Sequence, residues 1–205
     1  MRRLSLLSLR FRELVRRSRS LPVAAVEFAM VLPVMVLMYL GMTEMTFGVN
    51  TDRKITMLSR TLADLTGRAS VNKAEMDIIF AASTSVMAPY RSDQAKMVVS
   101  SIVVKEEKNA ENKPVFKGTV CWSEARGPDA GALAKGSTVT VPEGFQTPNS
   151  SYVRADVTMA YGPVFGSEIL KMVSGTTSIT MSEQTPWPVR NVKEVVWQGT
   201  TPCLT

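Results

Sequence analysis

The chain contains no histidine and only two cysteines in 205 residues. Without histidine there is no imidazole to act as general base, no Ser-His or Cys-His nucleophile pair, and no nitrogen ligand of the kind most zinc sites use. Two cysteines alone offer too few ligands to close a metal site. A glycine-rich phosphate loop and a Ser/Lys motif at a recognisable spacing are also missing. These absences point away from an enzyme and leave carboxylate or lysine chemistry as the remaining catalytic option. No cofactor and no metal is expected. Acid is scarce as well: Glu13 is the one acid among the first 19 residues, and Glu27 the one acid between Leu21 and Thr43.

The stretch Leu21 to Thr43 is otherwise apolar (LPVAAVEFAMVLPVMVLMYLGMT). As a helix rising about 1.5 Å per residue it would be about 34 Å long, enough to cross a hydrocarbon core of about 30 Å. Pro33 removes one helical hydrogen bond and predicts a kink. The run is longer than the apolar core of a cleavable secretory signal, and no Ala-x-Ala pattern closes it. The nearest candidate is Thr46-Phe47-Gly48. Of 13 methionines many stand in or beside this run, where they fill packing gaps better than they would bind copper, since no Met-x-Met cluster occurs.

Seven arginines precede the run: Arg2, Arg3, Arg10, Arg12, Arg16, Arg17 and Arg19. Set against Glu13 they give the tail a charge of +6, which is the net charge of the whole chain. The basic pI therefore describes a tail, and the remainder is balanced. Arginines such as Arg10, Arg12, Arg16, Arg17 and Arg19 hold their side of a first span in the cytoplasm. A nucleic-acid-binding arm or an organellar presequence is the competing reading, but a long apolar run directly behind the tail favours topology, with no nucleic acid among the partners. The domain plan is a basic cytoplasmic tail over 1–20, a transmembrane helix over 21–43, a helical extension over 44–68, and an extracytoplasmic α+β domain over 69–205.

In the extension, Ile55, Leu58, Leu62 and Leu65 form one stripe of a helix, with most charged residues off it. Gly67 offers a stop and Ser70 a new N-cap. A second helix is expected over 72–86, with Met76, Ile79, Phe80 and Ser83 on one side. Strands are expected over 96–105, 115–122, 137–141, 152–161 and 176–183, with a polar loop EEKNAENKP between the first two and a short helix over 164–172 before the last. In YVRADVTMAY, Val153, Ala155, Val157 and Met159 share one face. The fold class is α+β, a long N-terminal helix followed by an antiparallel sheet that the helix can cover.

Cys121 and Cys203 have no other cysteine to pair with. An oxidising compartment permits a disulfide tying the tail to the sheet, and two separate thiols are the alternative. Trp187 and Trp197 belong to an interface or cap the sheet's edge. Asn149-Ser150-Ser151 matches a glycosylation acceptor but reads most simply as a turn before a strand.

A carboxylate in an apolar span costs about 2.5–3.5 kcal/mol at mid-bilayer and is usually partnered or functional. Glu27 stands close enough to one end to snorkel or to meet Arg19, so position alone leaves its role open. Its neighbours carry more. Behind an arginine-rich tail, Val26-Glu27-Phe28-Ala29, Pro33, Gly41 and Glu44 resemble, in order and spacing, the N-terminal segment of TadE-like and TadG-like proteins of the tight-adherence (Flp) pilus system. The resemblance covers about residues 15–65. It returns more weakly in SYVRADVTMAYGPVF and in Pro188-Val189-Arg190.

That resemblance implies a pseudopilin-like, non-enzymatic protein of the bacterial inner membrane, single-pass, with its N-terminus cytoplasmic and its C-terminal pilin-like domain periplasmic. The partners it implies are other pilus assembly proteins and pseudopilins, inner-membrane lipid and a prepilin peptidase. The pilin pattern puts cleavage between Pro22 and Val23, making Glu27 the fifth residue of the mature chain, where such an acid neutralises a neighbour's new amino terminus. The sequence departs from the pattern at Pro22, where the family has glycine or another small residue. Left uncut, Val23 has no free amine, and Glu27 must meet an arginine or hydrogen-bond in its protonated form. The alternative of another class is a periplasmic binding or adhesion domain for which the span is only a tether.

Overall fold

The computed structural model describes the backbone of residues 3–90, 92–109 and 111–204, and side chains from residue 23 onward within those ranges, Ile169 excepted. The chain divides into two compact units, Met1–Phe47 and Gly48–Thr205. Helix α1, Arg3–Thr66, supplies the first and also the opening element of the second. It passes through Pro33 unbroken, so the helical donor to the Ala29 carbonyl is missing. Gly67 ends it, its N–H bonding the Ala63 carbonyl at 2.9 Å.

The second unit is α+β, built on a five-stranded antiparallel sheet in the order β3-β2-β1-β4-β5. Its strands are β1 (Lys96–Lys108), β2 (Pro114–Arg126), β3 (Thr138–Thr140), β4 (Ser150–Tyr161) and β5 (Ile179–Pro188). Between α1 and β1 lies α2, Lys73–Thr84, and between β4 and β5 lies α3, Ser167–Ser174. Asn72, not Ser70, caps α2: its side chain accepts from the Glu75 N–H while the Glu75 carboxylate accepts from the Asn72 N–H, a reciprocal capping box. The hairpin β1–β2 runs further than its composition indicates. Glu106, Glu107 and Lys108 pair with Phe116, Val115 and Pro114, because cross-strand pairing extends the ladder through residues that are individually poor strand formers.

The main core lies between one sheet face and the helices. Ile55, Leu58 and Leu62 of α1, with Met76 and Phe80 of α2, are buried against Met97, Val99, Val103, Val153, Ala155 and Val157. Removing each large aliphatic side chain from water contributes about 1.5–3 kcal/mol, which holds the extension of α1 on the sheet. One polar bridge crosses this core: the Ser59 hydroxyl lies 3.0 Å from the Ala155 carbonyl and 2.8 Å from the Thr185 hydroxyl. The opposite face carries a smaller core of Ile102, Val104, Val120, Val141 and Tyr152, covered by Leu133, Val139 and Phe145 from the connection between β2 and β4. Phe145 packs 4.9 Å from the Tyr152 ring. Burial pushes the Tyr152 phenol above its ordinary pKa, with nearby Arg154 opposing the shift.

The β1–β2 register slips between Ser101 and Ile102: Ser101 faces Trp122 and Ile102 faces Val120. Cys121 is the extra residue of a β-bulge, which lets Cys121 and Trp122 both join the helix-side core where strict alternation would send one away. At the end of β2, Gly127 has φ +112° and its backbone lies against the Ala95 carbonyl, leaving no room for a side chain.

Candidate functional site

Residues 23–47 carry an unusual surface. Val23, Val26, Phe28, Met30, Val31, Val34, Met35, Leu37, Met38 and Tyr39 are all solvent-exposed on α1, so apolar side chains point outward around its circumference. In water this surface would be unfavourable; in hydrocarbon it is the expected one. The hydroxyls of Thr43 and Thr46 donate back to the carbonyls of Tyr39 and Met42, each at 2.9 Å, which satisfies them without water. From Val23 onward the helix is long and apolar enough to cross a membrane, and this fits a single-pass anchor.

Glu27 is exposed on this surface. It stands four residues, about one turn, after Val23, so the two share a helix face. Phe28 is 60% exposed. The arginines Arg10, Arg12, Arg16, Arg17 and Arg19, and Pro22 of the proposed processing bond, lie outside the residues whose side chains are described.

A second constellation closes the second unit, Gly48–Thr205, called the outer unit below after the expected topology. Cys121 and Cys203 form a disulfide with Cα atoms 6.1 Å apart. Beside it, the buried Glu194 carboxylate accepts from the backbone N–H groups of Cys203 (3.0 Å) and Leu204 (2.8 Å). The Trp122 indole donates to the Val195 carbonyl at 2.7 Å, and its ring packs 5.5 Å from that of Trp197. The tail also pairs with the α1–α2 connection, through Val71 N–H to Val196 O and Gln198 N–H to Val71 O. Trp187, for its part, is held against α1 by Asp64. Trp197 thus locks the tail internally, and Trp187, on the edge strand β5, ties that edge to α1. Nothing in their local sequence foretold these partners, which lie more than seventy residues away.

Cys121, Glu194 and Cys203 bring potential ligand atoms within 4.8 Å of one another. The two sulfurs are bonded to each other and both Glu194 oxygens accept backbone hydrogens, so the cluster as built has no thiolate to offer a metal. A cavity of about 320 Å³ beside the disulfide is lined by Trp122, Glu124, Leu133, Lys135 and Trp197. Its one acid is engaged, Lys73 meeting Glu124 at 3.1 Å, and no nucleophile-base pair converges on it among the described residues.

Residues 23–64 match the family model of TadE-like proteins. The matched segment spans Val23, Glu27 and Phe28, the exposed apolar helix, and the part of α1 that packs on the sheet through Leu62. A TadE-like segment implies a protein associated with tight-adherence pili. No curated protein and no solved structure matches the chain.

Proposed function

We propose that this chain is a membrane-anchored, pseudopilin-like component of tight-adherence pilus assembly, acting by helix-helix and domain-domain contact and not by catalysis. The observation that carries the reading is an apolar helix with one acid near its start, inside a segment matching TadE-like proteins over residues 23–64 and continuing into a separately packed α+β unit. In this reading the arginine tail stays in the cytoplasm, residues 21–43 cross the inner membrane, and the disulfide-closed unit occupies the periplasm, whose oxidising chemistry suits the Cys121–Cys203 bond.

Glu27 is the recognition element. In hydrocarbon an isolated carboxylate is costly, so it drives pairing with a positive group on a neighbouring helix. A cut between Pro22 and Val23 would create such a group, the amine of Val23, one turn from Glu27 on each copy. Partners are other pilus assembly proteins and pseudopilins, membrane lipid and a prepilin peptidase.

The self-contained core and disulfide of the outer unit favour one other reading, a periplasmic binding or adhesion domain on a tether. Intact mass of the protein from membranes of its host, with and without the prepilin peptidase, tests the processing. Peptidase-dependent loss of residues 1–22 supports a processed pseudopilin. An unshortened chain in both strains removes the amine and with it the pilin-style role of Glu27.

A further inference from the structure

We propose that the free edge of β5 pairs with the same edge of a second copy of this chain, joining two five-stranded sheets into one across a two-fold axis at Ser182. All the residues involved belong to Gly48–Thr205, and the pairing is independent of the role proposed for Glu27.

The two edges of the sheet are finished differently. On one side β3 has only three residues, and Pro142 stands two positions after it. Gly136 and Ser137 prolong its cover by bonding the Val120 carbonyl and N–H at 2.7 and 3.0 Å. On the other side β5 runs for ten residues and, among the described residues, pairs with β4 alone. Its second half is occupied: Thr185 meets Ser59, Trp187 meets Asp64, and Pro186 and Pro188 bring no N–H donor. The first half, residues 179–184, has no proline, glycine or lysine, and its one charge is Glu183. Edge strands normally carry such devices against pairing. This stretch presents backbone donors and acceptors without them, which is the arrangement that takes an added strand.

Symmetry and charge select the occupant and the register. Antiparallel edges of two identical sheets meet across a two-fold normal to the sheet, so each face continues into the same face of the copy. Residues directly opposite then point to one side. In β5, Met181, Glu183 and Thr185 share the helix side with Met159, Val157 and Ala155, their opposites on β4. Thr180, Ser182 and Gln184 face the other way, opposite Ala160, Thr158 and Asp156. An axis at Glu183 would set two carboxylates against each other, which is unfavourable. With the axis at Ser182, Glu183 of one copy faces Met181 of the other and Thr180 faces Gln184. Ile179, 48% exposed in the single chain, comes opposite Thr185 and one diagonal step from Trp187. Hydroxyls and amides meet across one face, no like charges are opposed, and an exposed isoleucine gains an apolar neighbour. The edge is its own complement.

The test is cross-linking in membranes of the host, with full-length Ser182→Cys and, at the opposite edge, Thr138→Cys. The native cysteines are bonded to each other, and both sites are exposed. Opposed Cα atoms of an antiparallel pair lie about 4.5–5.5 Å apart, within reach of a disulfide. Under mild oxidation Ser182→Cys should give a product of twice the chain mass, several-fold above Thr138→Cys. Adding Thr180→Lys and Gln184→Lys to Ser182→Cys should abolish it, because each new lysine opposes another. Replacing the second change by Gln184→Glu should restore it, a result that contact between membrane helices alone cannot produce. A dimer at 182 no greater than at 138 overturns the proposal. So does a dimer that survives both lysines, or one that the lysine and glutamate together fail to restore. A cross-linked product of another mass means that a different protein covers β5, and overturns it too.

Discussion

Trp187 donates its indole N–H to the Asp64 carboxylate at 3.1 Å, fastening the end of β5 to the last turn of α1 across 123 residues of sequence. Arg190 adds a 2.8 Å ion pair to the same carboxylate and lies over the Trp187 ring, and Arg68 approaches from just beyond the helix end. The hydrogen bond from Arg68, reinforced by the charge of Arg190 and the Trp187 bond, holds the Asp64 carboxyl below its usual pKa against the opposing effect of burial.

A carboxyl with a depressed folded-state pKa stabilises the fold above its unfolded value, and that contribution is lost as pH falls through the folded one. Asp64→Asn should therefore cost about 1 kcal/mol at neutral pH, and the gap between variant and wild type should close below about pH 4. Melting temperatures of the two proteins in detergent across that range check it. A gap that persists unchanged into acid would mean the carboxylate charge does not contribute.

The disulfide closes a separation of 82 residues. Cys203→Ser should destabilise the outer unit by about 2–4 kcal/mol. The local consequence is more diagnostic. Hydrogen exchange at the Cys203 and Leu204 amides, which Glu194 accepts, should accelerate well before that of the β1 and β4 amides.

Gly127 combines a positive φ with the Ala95 carbonyl against its Cα. Gly127→Ala should cost about 2 kcal/mol or more, because the new methyl group is strained by the backbone and meets a main-chain oxygen that cannot rotate aside. Thermal unfolding followed by circular dichroism measures this directly. Gly131→Ala, with open space around it, is the control and should change little.

Glu27→Gln keeps size and hydrogen-bonding capacity but removes the charge. Pilus assembly should fall to background while the membrane fraction still contains the protein, and the outer unit should melt as in wild type because Glu27 lies in the other compact unit. Normal piliation by the variant would argue for the tether reading.

The segment from Leu21 to Leu65 was legible because its information is local. A run of outward apolar residues needs no partner within the chain to mark a helix long and apolar enough to cross a membrane, and the stripe Ile55, Leu58, Leu62 declares the face that becomes core. The alternation of Val153, Ala155, Val157 and Met159 likewise predicted their common burial. Glu27 stood out because a lone acid is costly in that setting.

Other features depend on residues far apart, so no local pattern encodes them. The bulge at Cys121 arises from the register between two strands. Glu194 looks like one more acid in a polar tail until the fold buries it beneath the backbone of Cys203 and Leu204. The partnership of Asp64 with Trp187 and Arg190 follows from β5 running alongside the end of α1, antiparallel to β4. Sequence alone determined which segments are apolar, how long they run and where charge is withheld, since helix period and transfer free energy act residue by residue. Tertiary structure decided which polar groups share a partner and which strands lie side by side, since strand pairing is a long-range choice made by the whole core at once.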